Sequence, residues 1–234
     1  MAELITGPDG AVVDGVLRLG ADGSLTVEGY SVRTTSTPAG LRYDVLTPDG
    51  TEFSWTAPRA VAQRTLILGG ARSGKSTEAE RLLAGHPDTL YVATGGDGES
   101  DPEWADRIAR HRARRPATWG LAETIDLVPL LDSPGPPLLV DCLTLWLART
   151  MDAHDIWADS SRVTEVEQAI EDLAQAWTRT TRLVVAVSNE VGSGVVPADP
   201  GTRLFRDLMG RLNTTIAHYS TSVLLCTAGR TTAL

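Results

Sequence analysis

The chain is predicted to be an α/β protein with a mostly parallel sheet and helices on both of its faces, preceded by a small all-β appendage. Three observations predict this. From residue 65 onward, short continuous apolar runs alternate with longer segments of helical period; such runs are strands buried on both faces. The run TLILGG leads directly into a glycine-rich turn and then a helical segment. Residues 1–60 instead carry the turn signals GPDG, GADG and TPDG between runs that alternate apolar and polar residues, the mark of hairpins.

Length and composition bound the rest. The chain has 234 residues, enough for one ordinary domain plus a small appendage. Hydrophobic residues make up 42% and charged residues 22%, so a sizeable core can be buried. A net charge of −9 argues against a nucleic-acid partner, because phosphate backbones attract clustered positive charge. No run approaches the roughly 18 apolar residues of a membrane span. The N-terminus has no basic region followed by an apolar one, so no secretory signal is expected. Cys142 and Cys226 lie in apolar runs and in no metal-ligand spacing; they read as buried free thiols of a cytoplasmic protein.

The elements follow in order. Residues 1–60 predict about four to six short strands, and TAPRAVAQR reads as a linker to a second domain over 61–234. TLILGG is a buried strand, and KSTEAERLLAG a helix that stops at a glycine. TLYVATGG is a strand. DPEWADRIARHRARR is a helix, with Asp101 placed to cap it and Pro102 at its first position. PLLVDCL is a strand and TLWLARTM a helix. TEVEQAIEDLAQAWTRT is a strongly amphipathic helix, RLVVAVSNE a strand, TRLFRDLMGRLNTTIAHYS a helix and SVLLCTAG the last strand. Ligands of such sheets sit at the carboxyl ends of the strands.

Gly69, Gly70, Ala71, Arg72, Ser73, Gly74, Lys75 and Ser76 match G-x-x-x-x-G-K-[ST], followed by Thr77. The motif lies between a buried strand and a helix, as a phosphate loop must, and the domain is therefore P-loop NTPase-like. The glycines let backbone N–H groups turn toward phosphate oxygens, and the helix N-terminus adds partial positive charge. Lys75 suits the β and γ phosphates and Ser76 a Mg²⁺ ion. Asp141 ends an apolar strand and suits the same ion; the alternative is that it caps the helix starting near Thr144.

The second informative run is EWADRIARHRARRP. Trp104, Ile108 and His111 share one helical face, among Arg107, Arg110, Arg112, Arg114 and Arg115. Such arginines form a clamp for a second anionic group or for charge developing during transfer. Neighbouring cations oppose protonation of His111, and a neutral imidazole is a nucleophile that can attack an α-phosphorus. The alternative is an ordinary packed histidine. His86, His154 and His218 have no comparable setting.

The motifs GGARSGKS, YVATG, RIARHRARRPATW, LLVDCLTLWL, VSNEVGSGVVP and RLFRDLMGRLN occur in this order over residues 65–234. Together they resemble the bifunctional adenosylcobinamide kinase / adenosylcobinamide-phosphate guanylyltransferase family of cobalamin biosynthesis. The resemblance implies two reactions at one site. Adenosylcobinamide is phosphorylated on the hydroxyl of its aminopropanol arm by ATP or GTP. GMP then passes from GTP to a histidine, which falls on His111, and on to the new phosphate, giving adenosylcobinamide-GDP. It also implies nucleotide contacts at Gly70 to Thr77, at Thr94, Gly95 and Gly96, at Arg112, Ala113, Arg114 and Arg115, at Glu123 and at Asp141. Glu123 has an ordinary surface glutamate as its alternative, and the Asn189-Glu190 pair suits substrate contact without a defined role. The family implies a homotrimer.

Two features depart from the family. The β-rich extension is not part of its core, and AHYSTSVLLCTAG lacks the acidic residues expected before the final strand. Three rival functions fit parts of the chain. A P-loop small-molecule kinase without a covalent intermediate would not need His111. A GTP-binding regulatory module would be expected to carry N-K-x-D, which is not present. A kinase that has lost guanylyltransfer conflicts with the intact His111 run.

Overall fold

The computed structural model describes residues 17–19, 25–27, 30–37, 40–58, 63–96, 115–157 and 159–234. The chain divides into two compact units, Met1–Val61 and Ala62–Leu234.

The first unit holds five described strands. β1 (Leu17–Leu19) and β2 (Leu25–Val27) pair antiparallel. β3 (Ser31–Thr37), β4 (Gly40–Leu46) and β5 (Glu52–Pro58) form an antiparallel meander, with Thr34 opposite Tyr43 and Tyr43 opposite Trp55. Tyr43 and Val45 alternate into its buried side. The TPDG signal closes the β4–β5 hairpin: Gly50 donates to the Thr47 carbonyl at 3.0 Å and has a φ of 87°, a conformation glycine adopts without steric cost. The GPDG and GADG signals lie outside the described residues. The expected linker is shorter than TAPRAVAQR, because Thr56 to Pro58 pair in β5 and Arg64 opens the next strand.

The second unit is built on a seven-stranded sheet. Its strands are β6 (Arg64–Gly69), β7 (Leu90–Ala93), β8 (Gly120–Glu123), β9 (Leu138–Asp141), β10 (Val184–Asn189), β11 (Ser222–Thr227) and β12 (Arg230–Ala233). The spatial order is β12-β11-β6-β10-β9-β7-β8, parallel throughout except for the β11–β12 hairpin. The described helices are α1 (Lys75–Leu82), α2 (Leu127–Asp132), α3 (Leu143–Ala153), α4 (Val163–Arg179) and α5 (Pro200–His218).

Strand alternation sends side chains to two cores. On one face, Ala79 of α1 and the following Leu83 pack with Ile67, Tyr91, Leu139, Val185 and Val187. On the other, α2 to α5 bury Leu131, Leu147, Ile170, Trp177 and Leu212 against Leu66, Val92, Val140, Val184 and Ala186. Each fully buried side chain of this size contributes roughly 2 kcal/mol of apolar burial, which fixes the strand register and with it the loops at the strand ends. Cys142 and Cys226 are buried free thiols, and burial, followed by the nearby Asp141, pushes the Cys142 thiol up to about 11.

Among the described residues, β8, β12 and α2 were not in the expected set. β8 is a four-residue edge strand, largely exposed and without apolar alternation; main-chain pairing with β7 alone makes it a strand. β12 is exposed throughout and is likewise held by its hairpin partner. α2 is a six-residue helix with Pro129 in its first turn, where no intrahelical N–H bond is lost. Arg182 secures it from outside, donating to the carbonyls of Leu130 at 2.9 Å and Pro136 at 2.7 Å. The helix expected at 101–115 lies outside the described residues except for Arg115.

A chain starting at Ala62 is expected to fold on its own, since both cores of the second unit are supplied from within it. Circular dichroism and thermal unfolding would check this. Insolubility of the shortened chain would show that residues before Ala62 cover apolar surface of the sheet.

Candidate active site

The carboxyl ends of β6, β10, β9 and β7 lie together along one edge of the sheet, and the candidate site is built on them. β6 ends at Gly69. A Cβ there would lie 2.5 Å from Ser73 Oγ and 2.6 Å from the Cys226 carbonyl oxygen, so only glycine lets the loop fold back this tightly. Gly74 has a φ of 98° and Arg72 one of 56°. Ser73 donates its N–H to the Gly70 carbonyl at 3.3 Å, and Gly229, in the β11–β12 turn, donates to the Ser73 carbonyl at 2.9 Å. The C-terminal hairpin thus braces the loop from behind.

Lys75 is buried, and its ammonium donates to the Gly70 carbonyl at 3.2 Å. The lysine therefore arches back over the loop that precedes it, which holds a cation against the loop backbone. Gly74 is the N-cap of α1 and supplies no capping side chain; the first-turn N–H groups are orphans that an anion can satisfy. Ser76 is half-buried, while Gly70, Ala71, Arg72 and Thr77 are exposed. Ser73 Oγ is buried without a hydrogen-bond partner among the described residues.

Asp141 ends β9, half-buried and in register with Ala93 of β7. Its Oδ2 accepts a 2.6 Å hydrogen bond from the Tyr91 hydroxyl. Burial, with Asp141 as the next cause, holds the Tyr91 hydroxyl far above the usual range, so it stays protonated and donating. The Arg115 guanidinium stands 5.0 Å from the Tyr91 ring centroid, a cation–π contact that ties the end of the arginine-rich run to this pair. Asp141 does not cap a helix: the N-cap of α3 is Cys142, and that helix has no side-chain cap. Ser76 and Asp141 offer hard oxygen donors of the kind Mg²⁺ takes, and among the described residues no cluster of three or more His, Cys, Asp or Glu competes as a metal site.

The remaining expected residues fall as follows. Thr94 is fully buried, and its hydroxyl both donates to the Cys142 carbonyl at 2.7 Å and accepts from the Cys142 N–H at 2.9 Å. It clamps the chain just after Asp141. Gly95 and Gly96 follow half-buried, with Gly96 at a φ of 76°. Glu123 ends β8 exposed and in register with Ala93, on the same face as Tyr91 and about 10 Å from Asp141 across two strand spacings. His111, Arg112, Ala113 and Arg114 lie outside the described residues. Sequence reading gave no role to Tyr91; an aromatic with a polar tip, two residues before the strand's end, was the available signal.

β10 lies between β6 and β9. Its last residue, Asn189, is in register with Gly69. The Asn189 N–H donates to Thr144 Oγ1 at 2.8 Å, and its carbonyl accepts from Asn213 Nδ2 at 3.0 Å. Asn213 is itself held by the Ser188 hydroxyl at 2.6 Å. Glu190 donates its N–H to the Gly69 carbonyl at 3.2 Å and accepts from Gly192 N at 2.6 Å.

A strand, glycine loop and helix at the end of a parallel sheet, with a carboxylate on a neighbouring strand end, define a P-loop nucleotide-binding protein. Residues 65–234 match the family model for cobinamide kinase / cobinamide phosphate guanyltransferase. The chain is 44% identical over 172 residues to the bifunctional adenosylcobalamin biosynthesis protein CobP of Pseudomonas aeruginosa, covering 71% of this chain and 94% of that protein. It is 36% identical over 174 residues to the bifunctional adenosylcobalamin biosynthesis protein CobU of Salmonella typhimurium (70% and 95%). For the CobU protein of Escherichia coli the identity is 34% over 174 residues (70% and 95%). The chain belongs to the cobinamide kinase / cobinamide phosphate guanyltransferase family. The family match begins at residue 65, so the β-rich unit lies outside it.

Two substitutions test the site. Gly69→Ala should weaken GTP binding about fivefold or more, because the methyl group displaces the loop and such overpacking costs roughly 1–3 kcal/mol; titration with a fluorescent GTP analogue would measure it. Tyr91→Phe keeps the ring over Arg115 but removes the hydrogen bond to Asp141. Losing a hydrogen bond to a charged group costs roughly 1.5–3 kcal/mol, so phosphoryl transfer should fall about tenfold or more and need more Mg²⁺. Unchanged rates and Mg²⁺ dependence would show that Asp141 does not rely on Tyr91.

Proposed function

We propose that this chain carries both activities for which its family is described. It phosphorylates adenosylcobinamide with ATP or GTP, then transfers GMP from GTP through a guanylyl-histidine to give adenosylcobinamide-GDP and pyrophosphate. The observation that carries this reading is the family match over residues 65–234, a span that includes the G-x-x-x-x-G-K-[ST] run.

In the kinase step the hydroxyl of the aminopropanol arm attacks the γ-phosphorus. The new O–P bond forms as the bond to the β–γ bridging oxygen breaks, the nucleoside diphosphate leaves with that electron pair, and the hydroxyl proton passes to solvent. The loop from Gly69 to Thr77 holds the phosphates, and Lys75 neutralises charge on the β and γ groups. Ser76 and Asp141 would hold Mg²⁺, which supplies charge neutralisation at the phosphate oxygens. Tyr91 orients Asp141, and Thr94 fixes the chain behind it.

In the guanylyl step the acceptor is His111. Its neutral imidazole attacks the α-phosphorus of GTP, an N–P bond forms, and pyrophosphate leaves with the electrons of the bond that breaks. The phosphate of adenosylcobinamide phosphate then attacks the same phosphorus, freeing the imidazole. Arg112, Arg114 and Arg115 offset charge on the transferring group, with Ala113 between them, and Arg115 is held by the Tyr91 ring. Thr94, Gly95, Gly96 and Glu123 are read as nucleotide contacts; Glu123 has a carboxylate able to accept from a guanine edge or ribose. No helix among the described residues is long and apolar enough to cross a membrane. A cytoplasmic homotrimer, with residues 1–60 as an added β-rich domain of separate role, completes this reading.

Mass spectrometry after incubation with GTP and Mg²⁺ tests it. One GMP should be added to the chain in an acid-labile, base-stable linkage. His111→Asn should abolish the adduct and guanylyltransfer while largely sparing the kinase step. Full guanylyltransfer by that variant would eliminate the covalent route, and a labelled peptide containing another histidine would move the nucleophile.

A further inference from the structure

Asn189, like Glu190 beside it, is left without a task by the reactions above. Strand β10 separates the phosphate-loop strand from the Asp141 strand, with Val187 in register with Asp141 and Asn189 in register with Gly69. Val185 and Val187 belong to the core on the α1 side, together with Ile67 and Leu139. Side chains alternate along a strand, so Asn189 points to that same side, as do Gly69 and Asp141. Its carboxamide therefore stands at the strand ends between the phosphate loop and the proposed Mg²⁺ carboxylate.

The residue is held there by its main chain. Thr144 Oγ1 takes its N–H and Asn213 takes its carbonyl, so the side chain has no part in bracing β10. Its Oδ1 is buried and has no hydrogen-bond partner among the described residues. A buried oxygen without a donor is costly, and such a group in a folded protein calls for a partner. Ser73 Oγ, in the adjoining loop, is in the same condition. Being an acceptor, Asn189 Oδ1 is unsuited to the oxygens of a phosphate and suited to an O–H donor.

We propose that Asn189 is a substrate-contacting residue of the kinase step, whose Oδ1 accepts a hydrogen bond from the alcohol that attacks the γ-phosphorus. The ligand class is the hydroxyl end of the phosphoryl acceptor. The contact aligns one oxygen lone pair on the hydroxyl with the phosphorus while its proton is held by the amide; after the O–P bond forms and the nucleoside diphosphate leaves, that proton passes to solvent. The inference rests on the kinase reading above. It predicts a division between the two reactions, because the guanylyl step uses an imidazole, which brings no hydroxyl proton to hold.

The test is Asn189→Ala in the full chain, assayed three ways: phosphorylation of adenosylcobinamide, formation of the GMP adduct, and titration with a fluorescent GTP analogue. The substitution leaves both main-chain hydrogen bonds in place. Kinase kcat should fall roughly 10- to 100-fold, the scale of a misaligned nucleophile, while adduct formation and nucleotide affinity stay within about threefold. Asn189→Asp, which keeps an oxygen acceptor at the same place, should recover part of the lost kinase kcat. An unchanged kinase rate overturns the proposal. So does a parallel loss of all three signals, which would mark Asn189 as structural. A native chain that forms neither phosphorylated product nor adduct would overturn the functional reading itself, and this assignment with it.

Discussion

The parallel pairing of β6 with β10, β10 with β9, and β9 with β7 is the constraint on which the rest depends. Its register sets Gly69 level with Asn189, Val187 level with Asp141, and Asp141 level with Ala93. A slip of one residue in any of these strands would turn its whole set of side chains to the opposite face. Asp141 would then leave the phosphate-loop side, and Tyr91 could not reach it. The two apolar cores prevent such a slip, since each strand presents buried residues to both faces.

Onto this frame the chain adds hydrogen bonds to the main chain, made by two buried threonine hydroxyls and one backbone N–H. The Thr94 hydroxyl clamps Cys142, the Thr144 hydroxyl takes the Asn189 N–H, and the Gly229 N–H takes the Ser73 carbonyl. Each brace fixes the segment just after a strand end, where a ligand of a parallel sheet must bind. Groups held in advance need little reorganisation as charge develops on a transferring phosphoryl group. The same economy explains Gly69, where backbone and hydroxyl occupy the space of a Cβ.

Much of this was legible in the residues. The phosphate loop is local: its glycines, lysine and serine occur in one run, and an apolar strand before it and a helix after it are readable from periodicity. Asp141 was legible because a carboxylate ends an apolar run. The capping alternative for it could be decided only by seeing that α3 begins at Leu143 with Cys142 as its N-cap. β8 and β12 were not legible, because exposed edge strands are defined by pairing with a neighbour rather than by pattern. The role of Tyr91 was hidden for the same reason: its partner is 50 positions away. Thr94 was expected as a nucleotide contact, and the structure finds its hydroxyl engaged with Cys142, a tertiary contact no spacing rule contains.

Hydrogen–deuterium exchange with and without GTP and Mg²⁺ tests the central claim most directly, because it reads all the strand ends at once. If one nucleotide site spans the edge of the sheet, peptides covering residues 69–77, 93–96, 141–145 and 187–191 should slow together on ligand addition. Protection that skips residues 141–145 and 187–191, or that appears only at the amino ends of these strands, would contradict it.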